Sequence, residues 1–181
     1  ARNTPIVTFV NKMDREVREP LDLLDEIERT LGMSTIPFTW PVGMGKNFHG
    51  VCDLQNHCMR VFQPGSDRVS DDDEVIAQFD DAKIQQRFGT GLSVALQEID
   101  LIKGASPAFE HKEFLAGKQT PVFFGSAINN FGVREILDAL VDLAPPPEPR
   151  SAIQREVLPD EKKFSGMVFK IQANMNLAHR D

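Results

Sequence analysis

The chain has 181 residues, enough for one full domain or for one domain and part of another. Its 20 Lys and Arg residues against 27 Asp and Glu residues give a net charge of -7, which argues against a generally basic nucleic-acid binder and against direct DNA binding. No apolar run approaches the roughly 20 residues that cross a bilayer, and the N-terminus has no signal-peptide pattern, so we expect no membrane partner.

Residues 6–10 form a short apolar, β-branched run that predicts a buried parallel strand, and the polar pair Asn11-Lys12 follows it as a loop. A helix is predicted next, because Pro20 suits a first turn and Gly32 suits the end of a helix. Its apolar face is formed by Leu21, Leu24, Ile27 and Leu31.

The composition of the sequence changes at about Ile36, where proline and glycine become frequent with aromatic residues between them. Residues 51–54 and 59–62 predict paired strands joined by a polar turn, and the acidic stretch 71–74 predicts a solvated loop or the start of a helix. A longer helix and a shorter one follow, ending at Gly104 and Gly117.

Cys52 and Cys58 are too few for a disulfide framework and lack the spacing of a zinc site, so we expect free thiols in a reducing cytoplasm. The four histidines are scattered without metal-ligand spacing, and no metal site is predicted.

Residues 120–124 predict a second apolar strand, closed by Gly125-Ser126-Ala127. The helix after it ends at the prolines 145–147, and its predicted apolar face consists of Val133, Ile136, Leu137, Leu140 and Ala144. Residues 145–163 combine prolines with charge, as linkers do, and the alternating residues 165–171 predict the first strand of a β-rich domain.

Both strand-to-loop junctions, at Asn11 and at Gly125, occupy the position where doubly wound α/β folds bind ligands, the carboxyl ends of parallel strands. A parallel crossover needs roughly 30 residues or slightly more. Asp14 and Ser126 are 126 − 14 = 112 positions apart, so we expect an insertion of domain-like size in the crossover, at about residues 40–105.

The sequence Asn-Lys-Met-Asp at residues 11–14 resembles the base-recognition motif of GTP-binding proteins, and Ser126-Ala127 resembles their second base-contacting motif. A large insert between these motifs resembles elongation factor G and its relatives. Three sets of segments are together similar to the bacterial release factor 3 family of translational GTPases: residues 39–46 with 48–51, residues 103–106 with 115–117 and 120–127, and residues 169–175 with 179–181. The last set, residues 169–175 with 179–181, distinguishes that family from elongation factor G, the ribosomal translocase. The resemblance covers essentially the whole chain.

The resemblance implies roles for particular side chains. Asp14 would accept both N–H donors of the guanine edge, Asn11 would contact the other side of the base, and Lys12 would lay its stem along the ring. The Ala127 N–H would donate to the keto oxygen, while Ser126 would shape the loop. From the residues alone, an alternative is that Asn11 and Asp14 only cap a turn or the following helix.

The family's phosphate loop and Mg²⁺ ligands have no counterpart in this sequence, where Lys46 lacks the G-x-x-x-x-G-K-[ST] spacing. We therefore expect these groups upstream of Ala1. The chain by itself would have no catalytic residues and would not hydrolyse GTP. The parent would use GTP/GDP on the ribosome to recycle class I release factors. The alternatives are a fragment of a translocase-like elongation factor, a protein-interaction module that docks on the ribosome, and an inert α/β structural piece.

The predicted fold class is α/β: the second half of a P-loop GTPase-type parallel sheet with an inserted α+β subdomain, then the first strand of a β-barrel domain. Residues 1–39 and 106–147 would form the C-terminal half of the GTPase domain, and residues 40–105 the inserted subdomain. Residues 148–163 would be a linker, and residues 164–181 would begin the barrel.

Overall fold

A computed structural model describes residues 4–63, 75–79 and 82–171. The acidic stretch 71–74 and residues 172–181 lie outside the described residues. The chain divides into two compact units, Ala1–Ala144 and Pro145–Asp181. Among the described residues, no helix is both long and apolar enough to cross a membrane.

The first unit contains both helices and strands. In chain order it contains β1 (Thr8–Val10), α1 (Pro20–Leu31), β2 (Ser34–Pro37), β3 (Thr39–Val42), β4 (Gly50–Asp53), β5 (Cys58–Val61), β6 (Val75–Ala77), α2 (Ala82–Ala105), α3 (His111–Leu115), β7 (Gln119–Phe124) and α4 (Val133–Leu143). The predicted helix stops are confirmed at Gly32 and Gly117, where φ values of 67° and 69° lie in the left-handed region that glycine tolerates best.

A three-stranded parallel sheet of order β1-β7-β2 carries the two predicted loops. The predicted parallel pairing of β1 with β7 is confirmed, with Phe9 opposite Phe123. The sequence did not predict that β2 pairs with the other edge of β7. This strand has only four residues and ends in Pro37, so it carries little periodic signal. Because β7 lies between β1 and β2, the second loop begins from a strand that is held on both edges.

The segment between the two loops builds a second sheet, antiparallel and of order β3-β4-β5-β6, with α2 packed beside it. The predicted pairing of residues 51–54 with 59–62 is confirmed, with Val51 opposite Arg60. The long helix α2 is interrupted at Gly89, whose φ of 57° and ψ of -137° are not helical. Residues 40–105 are called the insert below.

The insert and the parallel sheet share one hydrophobic core. Trp40 is fully buried and meets the Phe124 ring of β7 edge-on, with ring centroids 5.3 Å apart. The Thr39 hydroxyl accepts a hydrogen bond of 2.9 Å from the backbone N–H of Phe124. Burying a large aromatic side chain removes roughly 150–250 Å² from water, so the Trp40 contact joins the insert firmly to the sheet, and the Thr39 bond fixes the residue just before the insert.

The apolar face predicted for α4 is partly wrong. Leu137 and Leu140 are exposed, whereas Ala139 is buried with Ile136 packed against the same cluster. Glu135 is buried as well, and it forms an ion pair with Arg60 of β5. The helix turns the Ile136 and Ala139 side toward the sheet, and periodicity alone could not distinguish that side from the adjacent apolar stripe.

The second unit contains two short antiparallel strands, β8 (Arg150–Ser151) and β9 (Glu156–Val157). These fall inside the segment predicted as a linker. The predicted strand at residues 165–171 is not a strand in the structure. A strand is defined by its hydrogen-bonded neighbour, and the described residues provide no partner for this segment.

Arg155 organises the second unit near its hairpin. Its guanidinium pairs with the carboxylate of Glu161 through two nitrogens and donates a 3.0 Å hydrogen bond to Ser165 Oγ. The Arg155 and Ser165 hydrogen bonds lower the pKa of Glu161 to about 2. This surface cluster orders the segment locally.

Candidate nucleotide-binding site

The first loop leaves β1 in a tight turn. Lys12 has a φ of 71°, and the Arg15 N–H closes the turn on the Lys12 carbonyl at 3.0 Å. This geometry leaves Asn11 and Lys12 exposed while the Met13 side chain is completely buried and Asp14 is half-buried. Left-handed backbone at a non-glycine residue costs energy and persists only where the surrounding contacts enforce it.

The second loop follows β7 and folds back on itself. Ser126 and Phe131 exchange two backbone hydrogen bonds, of 2.9 and 3.0 Å, around a short helical turn at residues 127–129. A Cβ at Gly125 would lie 2.3 Å from the Phe131 carbonyl oxygen, so only glycine allows this close approach. Ser126 and Phe131 are both fully buried, which fixes the loop.

The two loops are bonded directly to each other. Ser126 Oγ donates to Asp14 Oδ1 at 2.6 Å, and the Ala127 N–H donates to Asn11 Oδ1 at 2.8 Å. Backbone bonds reinforce the contact, because the Met13 N–H donates to the Gly125 carbonyl at 3.0 Å. Residues 112 and 116 positions apart in sequence therefore meet at one edge of the sheet.

The structure thus brings Asn11, Lys12, Asp14, Ser126 and Ala127 to adjoining loops. One contact differs from those that the resemblance implies. The Ala127 N–H, which would donate to the keto oxygen of the base, donates here to the Asn11 side chain. The same Asn11 Oδ1 also accepts the Lys12 N–H at 2.7 Å.

Sequence reasoning missed several supporting residues. Asn129 Nδ2 donates to Ser126 Oγ at 2.7 Å, so that hydroxyl accepts from Asn129 while it donates to Asp14. Phe131 closes the second loop through its backbone. The run of residues 128–132 also resembles the family, but nothing in the sequence shows which of its side chains reaches the serine.

Neither cysteine belongs to this site. Cys52 and Cys58 are both free and buried, and they lie opposite Met59 and Asp53 respectively in adjacent register positions, so their side chains point to opposite faces of the sheet. Burial raises the pKa of Cys52 to about 12, with a smaller contribution from Cys58. A thiol of this kind is protonated at neutral pH and chemically inert.

A cavity of about 420 Å³ lies beside α1 and the insert, and its lining includes Glu16, Glu19 and Glu98. None of the residues of the two loops lines it. Glu98 is occupied as the acceptor of a 2.9 Å hydrogen bond from the Trp40 indole. Across residues 4–63, 75–79 and 82–171, no group of three or more His, Cys, Asp or Glu side chains could hold a metal ion.

Comparison with known proteins defines the class. Residues 1–146 match the family model of the elongation factor Tu GTP binding domain. The chain belongs to this family, and its two bonded loops lie at the strand ends where the base-recognition motifs were predicted. A crystal structure of ttk003000868 from Thermus thermophilus shares the fold, with a TM-score of 0.50 at 18% identity over 78% of this chain and 22% of that chain.

Closer relatives specify the branch of the family. The whole chain is 70% identical to peptide chain release factor 3 of Nitrosomonas eutropha, 69% identical to that of Nitrosomonas europaea and 65% identical to that of Bordetella petrii. It spans 34% of the length of each of these relatives. The predicted resemblance to the bacterial release factor 3 family is confirmed, and the chain corresponds to about a third of such a protein.

Proposed function

We propose that this chain supplies the guanine-recognition half of the GTP site of a translation-termination GTPase. The observation that carries the proposal is the direct bonding of the two loops, Ser126 to Asp14 and Ala127 to Asn11. It places the Asp14 carboxylate and the Ala127 N–H, which is bonded to Asn11 Oδ1, on adjoining loops at the carboxyl ends of two parallel strands.

This donor and acceptor set fits the edge of guanine. Asp14 would accept the ring N–H and the amino group of the base, while the Ala127 N–H would donate to the keto oxygen after Asn11 rotates. The exposed Lys12 stem would cover one face of the ring. Ser126 holds Asp14 Oδ1 in place before a base arrives, which reduces the ordering that binding requires.

Adenine presents no matching pair of donors. It would leave the acceptor sites of Asp14 that face the base desolvated without donors, a cost of several kcal/mol that corresponds to discrimination on the order of 10⁴-fold. Affinity for the nucleotide as a whole would come largely from phosphate contacts and from Mg²⁺, whose ligands we place in the part of the parent upstream of Ala1.

Titration of the full-length parent with GDP and ADP tests the proposal. Wild type should prefer GDP strongly, and Asp14→Ala should abolish the preference. Asp100→Ala is a matched control, because Asp100 is an exposed carboxylate on α2. Equal binding of GDP and ADP by wild type, or an unchanged preference in Asp14→Ala, would refute guanine recognition by these loops.

The isolated 181-residue chain is a further test. We expect no binding at micromolar GDP, because the phosphate contacts are not expected in this part of the sequence. Selective GDP binding that Asp14→Ala removes would show instead that the base half-site is preformed and acts alone.

For the parent we propose a cytoplasmic, ribosome-dependent GTPase that drives class I release factors off the ribosome. The support is the 64–70% identity to release factor 3 proteins over the whole chain. Dissociation of a labelled class I release factor from ribosomes, with GTP and with GDP, measures this activity directly. GTP-dependent movement of messenger RNA without release-factor dissociation would favour the translocase alternative.

A further inference from the structure

The insert reaches both recognition loops, and its contacts are made by the segment just after β3 and by the residue after β5. Gly45 donates its N–H to the Met13 carbonyl at 2.9 Å, between Lys12 and Asp14. A Cβ at Gly45 would lie 2.3 Å from Glu16 Oε1, so the two segments are in close contact.

The insert contacts the second loop through an aromatic cluster, in which Phe48 and Phe62 of the insert pack against Phe131 of the loop. Phe131 stands edge-on to both insert rings, with centroid distances of 5.6 Å to Phe48 and 5.2 Å to Phe62. Phe48 and Phe62 also contact each other at 5.1 Å. Phe131 is completely buried and Phe48 is almost completely buried, so the cluster allows little movement.

A short chain of bonds connects this cluster to the base-reading carboxylate. The backbone of Phe131 pairs twice with the backbone of Ser126, and Ser126 Oγ donates to Asp14. A shift of the Phe131 ring therefore moves Ser126 and Ala127 together. A carboxylate that accepts two donors is sensitive to such a shift, because displacement by about 1 Å breaks hydrogen-bond geometry.

We propose that Phe48 and Phe62 of the insert are positioning residues for guanine recognition, setting how closely Ser126, Ala127 and Asp14 meet the base. The inference rests on the proposed function of the two loops. It assigns to the insert a direct part in base specificity, in addition to its share in the hydrophobic core.

The test uses the full-length parent and compares the dissociation constants of GDP and inosine diphosphate, which lacks only the 2-amino group of guanine. The ratio of the two constants reports the contact of that amino group with Asp14. In Phe48→Leu we expect the ratio to fall by about two- to tenfold, the range for loss of the aromatic pair that Phe48 forms with Phe131 of the second loop.

Phe79→Leu is the matched control. Phe79 is an aromatic residue of the insert and only 2% exposed, and its ring lies tilted against that of His57 with the centroids 5.1 Å apart. Loss of stability alone lowers the affinity for both nucleotides equally and leaves their ratio unchanged. A ratio that falls as far in Phe79→Leu as in Phe48→Leu would therefore overturn the inference.

Phe62→Leu is the second variant to test, and it is used alone if Phe48→Leu fails to fold. Phe62 is only half-buried, so its replacement should disturb folding less. An unchanged ratio in the folded variants overturns the positioning role while leaving guanine recognition intact. Failure of the wild type to prefer GDP over ADP overturns the proposed function, and the positioning role with it. A fall in the ratio confined to Phe48→Leu and Phe62→Leu supports both.

Discussion

Replacement of Ser126 by alanine should weaken GDP binding specifically. The Ser126 hydroxyl is completely buried, donates to Asp14 Oδ1 at 2.6 Å and accepts from Asn129 Nδ2 at 2.7 Å. Without it, the half-buried Asp14 side chain must be ordered when the base binds. Ordering one such side chain costs about 0.5–1.5 kcal/mol, which raises the dissociation constant about two- to tenfold.

The assay is calorimetric titration of the full-length parent with GDP and ADP. ADP should bind as weakly to Ser126→Ala as to wild type, because adenine does not use the Asp14 contact. Ser93→Ala serves as the control, since Ser93 is exposed on α2 and its hydroxyl bond to the Gly89 carbonyl is long, at 3.3 Å. A Ser126→Ala variant that binds GDP as tightly as wild type would refute the reasoning that Ser126 preorganises Asp14.

The remaining predictions concern stability, measured by urea unfolding with Trp40 fluorescence. Glu98→Ala should lower the free energy of unfolding by about 1–3 kcal/mol, because the buried Trp40 indole N–H loses its acceptor. Glu98→Gln keeps an acceptor and should lower it little. Burial raises the pKa of Glu98, and Glu19 adds to this against the opposing hydrogen bond from Trp40. The folded chain therefore binds this proton more tightly than the unfolded chain. Stability relative to Glu98→Gln should be greatest below pH 4.5 and should fall as pH rises through the folded pKa; the opposite slope would contradict this. Gly125→Ala should destabilise by more than about 2 kcal/mol through collision with the Phe131 carbonyl. Gly104→Ala, which meets nothing within 4 Å in α2, should instead stabilise by about 0.5–1 kcal/mol, and equal effects of the two changes would refute the steric argument.

The sequence by itself predicted many of the local elements and singled out the residues proposed for the site. Strands β1 and β7 were predictable because short β-branched and aromatic runs ended in loops of distinctive composition. Their parallel pairing followed from the rule that ligand loops gather at the carboxyl ends of strands. Asn11, Lys12, Asp14, Ser126 and Ala127 came from motif resemblance, which depends on local sequence and needs no knowledge of packing.

Only the tertiary structure decided which groups touch. The Ser126–Asp14 bond joins residues 112 positions apart, and the Phe131 contacts with Phe48 and Phe62 cross from the sheet to the insert. Side-chain periodicity shows that a residue faces inward but not what it meets there. Pairing partners, rotamers and the side of α4 that turns toward the sheet follow from how the whole unit closes around its shared core, because packing of one element is fixed by all its neighbours at once.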